Sequence, residues 1–97
     1  MHIVSLKALR LFWEQHPDAE QPLRAWYLIT RRAQWRRPAD IKADYGTASI
    51  LGNNRVVFNI KGNAYRLVVL TAYHKGRLFI RFVGTHVEYD RIDAETI

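Results

Sequence analysis

Two rhythms of apolar residues divide this chain. In the first third they recur every three or four residues; from Arg55 onward they recur every second residue. Leu6, Leu9 and Trp13, joined by Phe12, mark one face of a first helix. Ser5 stands ahead of it as a candidate cap, its hydroxyl able to accept a bond from an early backbone N–H. Pro17 ends that helix near His16, because the residue before a proline is driven out of the helical region. A second helix begins around Asp18 to Gln21, with Pro22 in the first turn, where backbone N–H groups have no intrahelical partner. Leu23, Trp26, Tyr27, Thr30 and Ala33 form its stripe, and Arg24, Arg31 and Gln34 fall away from it. Pro38 is expected to stop it, which leaves Arg36 and Arg37 at its negative end. Pro38 to Asp44 has room for one further turn.

The later rhythm predicts strands. His2 to Val4 reads as a short edge strand. Gly46 and Gly52-Asn53-Asn54 are turn chemistry. Between Arg55 and Lys61, Val56, Phe58 and Ile60 fall on one face, and Arg55, Asn59 and Lys61 on the other. Gly62-Asn63 signals a tight turn. Tyr65 to Tyr73 and Arg77 to Val83 are rich in β-branched and aromatic residues, separated by Lys75-Gly76. Gly84 is expected to end the last strand. Thr85-His86-Val87-Glu88 is a capping-box pattern. The order predicts one α+β domain over residues 1–97. Two N-terminal helices pack on one face of a small antiparallel sheet, followed by a short C-terminal helix or turn. Repeats, low-complexity segments and linkers are absent.

Composition sets bounds on this picture. Ninety-seven residues, 48% of them hydrophobic, suffice for one core. The absence of cysteine excludes disulfides and thiolate ligation, and fits a reducing compartment. No apolar run approaches the roughly 20 residues that span a bilayer. Lys7, Arg10 and Glu14 interrupt the N-terminus, which lacks the apolar core of a signal peptide. The expectation is a soluble, cytoplasmic protein that does not contact membrane.

Charge adds a partner. The net charge is +6, and its distribution is uneven. From Tyr45 through Val87 there is no acidic residue, while Arg55, Lys61, Arg66, Lys75, Arg77 and Arg81 all lie there. Arg24 to Lys42 adds Arg31, Arg32, Arg36 and Arg37 against Asp40. A sheet built from the acid-free stretch carries a positive field that attracts phosphates.

Within that stretch, period two places Arg66 with Val68 and Leu70, Arg81 with Phe79 and Val83, and Lys61 with Asn59. Lys61, Arg66 and Arg81 are therefore expected on one side of adjacent strands, forming a basic surface opposite the helices. Each can instead lay its stem over apolar neighbours. His86 and Tyr89, three apart, share a face if the capping box forms. A histidine exchanges protons near neutral pH, and a tyrosine stacks on a base. The four histidines, His2, His16, His74 and His86, have no metal-ligand spacing. A Gly-rich phosphate loop is lacking, and neither Ser5 nor Ser49 has a nucleophile-elbow context. No cofactor or metal is expected. Trp13, Trp26 and Trp35 read as core, although Trp35 beside Arg36 and Arg37 is also a candidate contact.

Two runs of residues carry a family resemblance. Val57-Phe58-Asn59-Ile60-Lys61-Gly62-Asn63-Ala64-Tyr65-Arg66-Leu67 resembles the central strands of HigB-type toxins, of the RelE/ParE superfamily. Ile80-Arg81-Phe82-Val83-Gly84-Thr85-His86-Val87-Glu88-Tyr89-Asp90 resembles the ending of the same group. With the helical first half, the resemblance covers nearly the whole chain. It implies a RelE-like fold and a metal-independent endoribonuclease that cuts mRNA on the translating ribosome. It also implies a cognate HigA-like helix-turn-helix antitoxin, with operator DNA bound only through the complex of the two. By the same resemblance, Arg66 matches a strand arginine on the scissile phosphate and His86 a catalytic basic residue past the last strand. Tyr89 lies near the position of a catalytic tyrosine, and Lys61 matches a substrate-binding lysine. Asn63 and Arg81 complete the expected RNA-binding set, Arg81 on its facing direction alone.

Other readings stay open at this level. A basic sheet with Tyr65, Tyr73, Phe79 and Tyr89 also suits a non-catalytic RNA-binding module. The same fold hosts ParE-like toxins that act on gyrase. The helical half is the expected docking surface of the antitoxin, and an acidic or amphipathic antitoxin segment can also cover and mask the basic sheet.

Overall fold

In a computed structural model describing residues 1–97, strand β1 (His2–Val4) leads directly into helix α1 (Leu6–Gln15). A single 3-10 turn (Pro17–Ala19) joins it to α2 (Glu20–Arg32), and α3 (Pro38–Asp44) follows. Then come β2 (Ser49–Ile50), β3 (Arg55–Ile60), β4 (Tyr65–Ala72), a 3-10 turn (Tyr73–Lys75), β5 (Arg77–Thr85) and α4 (His86–Tyr89). The five strands form one sheet in the order β1-β5-β4-β3-β2. The meander β2 to β5 is antiparallel, as its turn chemistry requires. The wholly antiparallel expectation fails at one edge, where β1 pairs with β5 in parallel. That pairing is open to β1 because the three helices separate it from the meander in sequence.

The apolar stripes meet on one face of the sheet. Leu9 and Trp13 of α1, Leu23 and Trp26 of α2 and Ile41 of α3 join Val56, Phe58, Ile60, Leu67, Val69 and Leu78 in one cluster. Phe58 is its hub: its ring lies 5.4 Å from Trp26, 6.0 Å from Trp35 and 5.2 Å from Tyr45. All three tryptophans are buried. The indole N–H of Trp35 donates to Asp44 at 2.8 Å, so it is core and not an exposed contact.

Helix α2 ends six residues before Pro38, earlier than the sequence predicts. The reason is Trp35. It lies five residues past the buried Thr30, about 140° around a helix at 100° per residue, so a continued helix would turn it outward. Unwinding after Arg32 lets Trp35 reach Phe58. Arg31 and Arg32, rather than Arg36 and Arg37, then occupy the last turn. Ser5 sits in an extended cap conformation, but its hydroxyl makes no capping bond and is left to solvent. Pro38–Asp44 forms a seven-residue helix, longer than the single turn expected.

The other face is partly covered by the C-terminal segment. Val57, Val68 and Ala94 are buried there, with Leu51, Phe82, Tyr89, Ile92 and Ile97 packed around them. Strand β5 runs through Gly84 to Thr85, because β4 offers pairing partners as far back as Tyr65. The capping box forms as predicted: Thr85 N–H donates to Glu88 Oε1 at 2.8 Å, and Glu88 N–H donates to Thr85 Oγ1 at 3.2 Å.

Candidate active site

The connection between β3 and β4 organises the site. Lys61 and Gly62 both take positive φ, 52° and 63°. For Lys61 this is an uncommon backbone state, and contacts on both sides hold the turn. Toward the helices, Lys61 Nζ reaches Asp18 Oδ2 at 2.5 Å, and the Tyr65 hydroxyl donates to Asp18 Oδ1. Lys61, then Tyr65, hold the Asp18 carboxyl below its usual range. The carboxylate in turn raises the Tyr65 phenol. Phe12 and His16 pack their rings around Tyr65, at 5.2 and 5.4 Å.

Arg66 leaves the sheet on the other face. Tyr65 and Leu67, its neighbours, point to the helices and are buried, so strand alternation sends Arg66 away from them. Asn59 on β3 and Gly84 on β5 flank it in register. The guanidinium donates from Nη1 to the carbonyls of Asn63, at 3.1 Å, and Tyr65, at 3.3 Å. It has no carboxylate partner. The rest of its five-donor fork is free for an anion.

The same turn anchors His86: its backbone N–H donates to the Ala64 carbonyl at 3.3 Å. Arg66 and His86 are thus tied to adjacent carbonyls of one loop. The imidazole is exposed, with Nδ1 3.8 Å from Asp90 Oδ1. That is beyond hydrogen-bond reach, leaving both ring nitrogens open to a ligand. Tyr89, three residues on, packs at 6.5 Å from the Phe82 ring on the Arg66 side of the sheet. Glu88 is held ionised below its usual range, chiefly by the Thr85 backbone N–H.

Two sequence expectations are corrected. Lys61 does not share the Arg66 face, because the positive-φ turn ends the strand alternation and Asp18 draws the ammonium to the helix side. The carboxylate comes from outside the acid-free stretch, so no local signal in that stretch announces it. Arg81 does not share a face with both Phe79 and Val83. A bulge intervenes: Val68 pairs with Phe82 and Val69 with Ile80, leaving Arg81 unpaired and exposed between them. Phe79 and Val83 consequently face opposite sides. Asn63 sits exposed at the turn tip and contributes its carbonyl. The expected convergence of Lys61, Arg66, Arg81 and His86 into one pocket is not found: Arg66 and the His86 backbone are bonded to one turn, Asn59 lies beside Arg66, and Tyr89 packs against Phe82 on the sheet face that Arg66 enters. Asp18 is the contact to this turn that sequence reasoning missed.

Residues 19–92 match the family described as HigB toxin, the RelE-like toxic component of a toxin–antitoxin system. The chain is similar to the mRNA interferase toxin HigB of Escherichia coli (strain K12). The two are 29% identical over 96 residues, covering 97% of this chain and 92% of the relative. The mRNA interferase HigB of Escherichia coli O157:H7 and that of Shigella flexneri match at the same identity and coverage. The matched segment contains Arg66, His86 and Tyr89, together with four of the five strands. This chain belongs to the HigB toxin family and is a RelE-like toxic component of a toxin–antitoxin system, which implies an antitoxin partner.

Proposed function

We propose that this toxin is a metal-independent endoribonuclease that cuts mRNA on the translating ribosome in the cytoplasm. A cognate HigA-like helix-turn-helix antitoxin silences it, and operator DNA is reached only through their complex. The observation that carries the reading is Arg66. It is a half-buried guanidinium with no carboxylate partner, on the sheet face away from the helices and bonded to the same turn as His86. The mRNA interferase relatives support the substrate class.

The RNA supplies its own nucleophile. The 2′-oxygen bonds to the adjacent phosphorus as its proton leaves, and the bond from phosphorus to the 5′-oxygen breaks. A 2′,3′-cyclic phosphate and a 5′-hydroxyl result, with one proton moved from the first oxygen to the second. Arg66 stabilises the added charge on the phosphoryl oxygens, the task a metal would otherwise serve. His86 exchanges a proton with the reacting oxygens. Tyr89 stacks on a base or orients the phosphate. Arg81 adds positive potential from the bulge. Asn63 and Lys61 act through the turn that carries Arg66, Asn63 by its carbonyl and Lys61 by its anchor on Asp18.

Cleavage of mRNA on programmed ribosomes by Arg66→Ala and His86→Ala proteins tests this. Loss of about 10²- to 10³-fold in rate is expected for Arg66→Ala, with cleavage by the wild type persisting in chelator. Wild-type rates in both variants would end the assignment. Intact mRNA with inhibited gyrase would replace it with the ParE-like reading, and binding without cleavage with the RNA-binding module.

A further inference from the structure

The two largest concavities lie at the other end of β4 from Arg66. They measure about 590 and 620 Å³ and adjoin along Arg36, Tyr73 and His74, the two parts of one shallow cleft. Arg31 at the end of α2 and Lys75 in the turn before β5 line one part, and Asn54 from the β2–β3 turn the other. No carboxylate lines either part. Arg31, Arg36, His74 and Lys75 are exposed, and none is in an ion pair. Asp40, whose charge reaches Tyr73, is turned onto the Arg36 backbone N–H at 2.9 Å and lies 3.9 Å from Arg37 Nε.

We infer that this cleft is a second RNA site, which holds the sugar-phosphate backbone away from the scissile bond. Cations drawn from three separate elements into one concavity, with no carboxylate among them, focus a positive field that draws an anion. The donors present, guanidinium, ammonium, imidazole and Asn54 amide, are those that bind phosphate and sugar oxygens. Tyr73 adds a half-buried ring on which a base can stack. An acidic protein segment fits less well, since the apolar side chains that line the cleft, among them Leu70, Ala72 and Trp35, are buried or half-buried and offer it no protruding anchor. The exposed large apolar side chains, such as Leu11, Leu28 and Ile29, lie outside the cleft. Arg66 and Ala72 are six residues apart on β4, about 20 Å at the rise of a strand. The backbone held there belongs either to a distal part of the cleaved strand or to a separate folded RNA.

Equilibrium binding separates the cleft from the chemistry. The probes are a fluorescent 20-nucleotide RNA and an RNA hairpin, both 2′-O-methylated to prevent cleavage, and a decamer of glutamate. The protein is the full chain with Arg36→Ala and Lys75→Ala together. A control pair, Lys7→Ala and Arg10→Ala, removes the same charge from the exposed face of α1. The cleft pair is expected to weaken RNA about tenfold. It should also flatten the slope of log affinity against log salt by about 1.4 for the single strand. The control pair should do neither. Loss confined to the single strand assigns the distal message, and loss on the hairpin assigns a folded RNA. Equal effects of both pairs, or tighter cleft-dependent binding of the glutamate peptide, would overturn the inference. Amide shifts of Arg36, His74 and Lys75 in the wild-type protein on RNA titration give the same answer should the variant fold poorly. Retained tight binding with absent cleavage would sink the proposed nuclease and leave this site standing.

Discussion

Arg66 and Gly84 face each other across β4 and β5, and the space a side chain at position 84 would take is already filled by the Phe82 ring and the Glu88 carboxylate. A Cβ on Gly84 would fall 2.5 Å from the Phe82 ring and 3.1 Å from Glu88 Oε1. Phe82 in turn supports Tyr89. Gly84 therefore sets the placement of Phe82 and, through it, that of Tyr89, on the strand beside Arg66.

Gly84→Ala should displace Phe82 and with it Tyr89. Overpacking of this kind costs about 1–3 kcal/mol, which lowers the melting temperature of a domain this size by roughly 4–8 °C per kcal/mol. RNA cleavage should fall with it, while far-UV circular dichroism keeps its shape. An unchanged melting temperature and rate would show that Phe82 moves aside freely.

Asp18 anchors the turn whose carbonyls accept from Arg66 and from the His86 backbone. Its carboxyl is depressed by Lys61 first and by Tyr65 second. A depressed folded value means that the contribution is present above the unfolded value, near pH 4, and disappears as pH falls through the folded value. Thermal melts should show wild type and Asp18→Asn diverging above about pH 4 and converging at lower pH. A constant difference across that range would contradict the anchor. In the same variant, cleavage at pH 7 should drop because the turn loosens, although Asp18 is on the helix side of the sheet.

Thr85→Ala removes one half of the capping box. A cost of about 1 kcal/mol is expected, visible as faster amide exchange at His86 and Glu88. Thr85→Ser should restore protection, since it keeps the oxygen that accepts from Glu88 N–H.

Phe58 touches three other core aromatics. Phe58→Ala should cost about 3–5 kcal/mol, a large part of the 5–15 kcal/mol that holds a domain together. Denaturant unfolding should show the midpoint falling steeply. Loss of less than about 1 kcal/mol would mean that Trp26 and Trp35 close over the space.

Much of this protein is written in local spacing. The stripes Leu9–Trp13 and Leu23–Trp26–Thr30, the alternation from Val56 to Ile60 and the Thr85–Glu88 box depend on neighbours within a few residues, and each is found where the sequence predicts it. The outward direction of Arg66 follows from the same alternation. The family, too, was legible in two short runs of residues. Tertiary structure decided the rest. Trp35 unwinds α2 because its place is against Phe58, a partner 23 positions away. Lys61 leaves the Arg66 face because Asp18, 43 residues distant, supplies a carboxylate. Arg81 loses its register to a bulge that exists only in the pairing of β4 with β5. Periodicity reports which way a side chain starts, whereas long-range charge, packing and pairing decide where it ends.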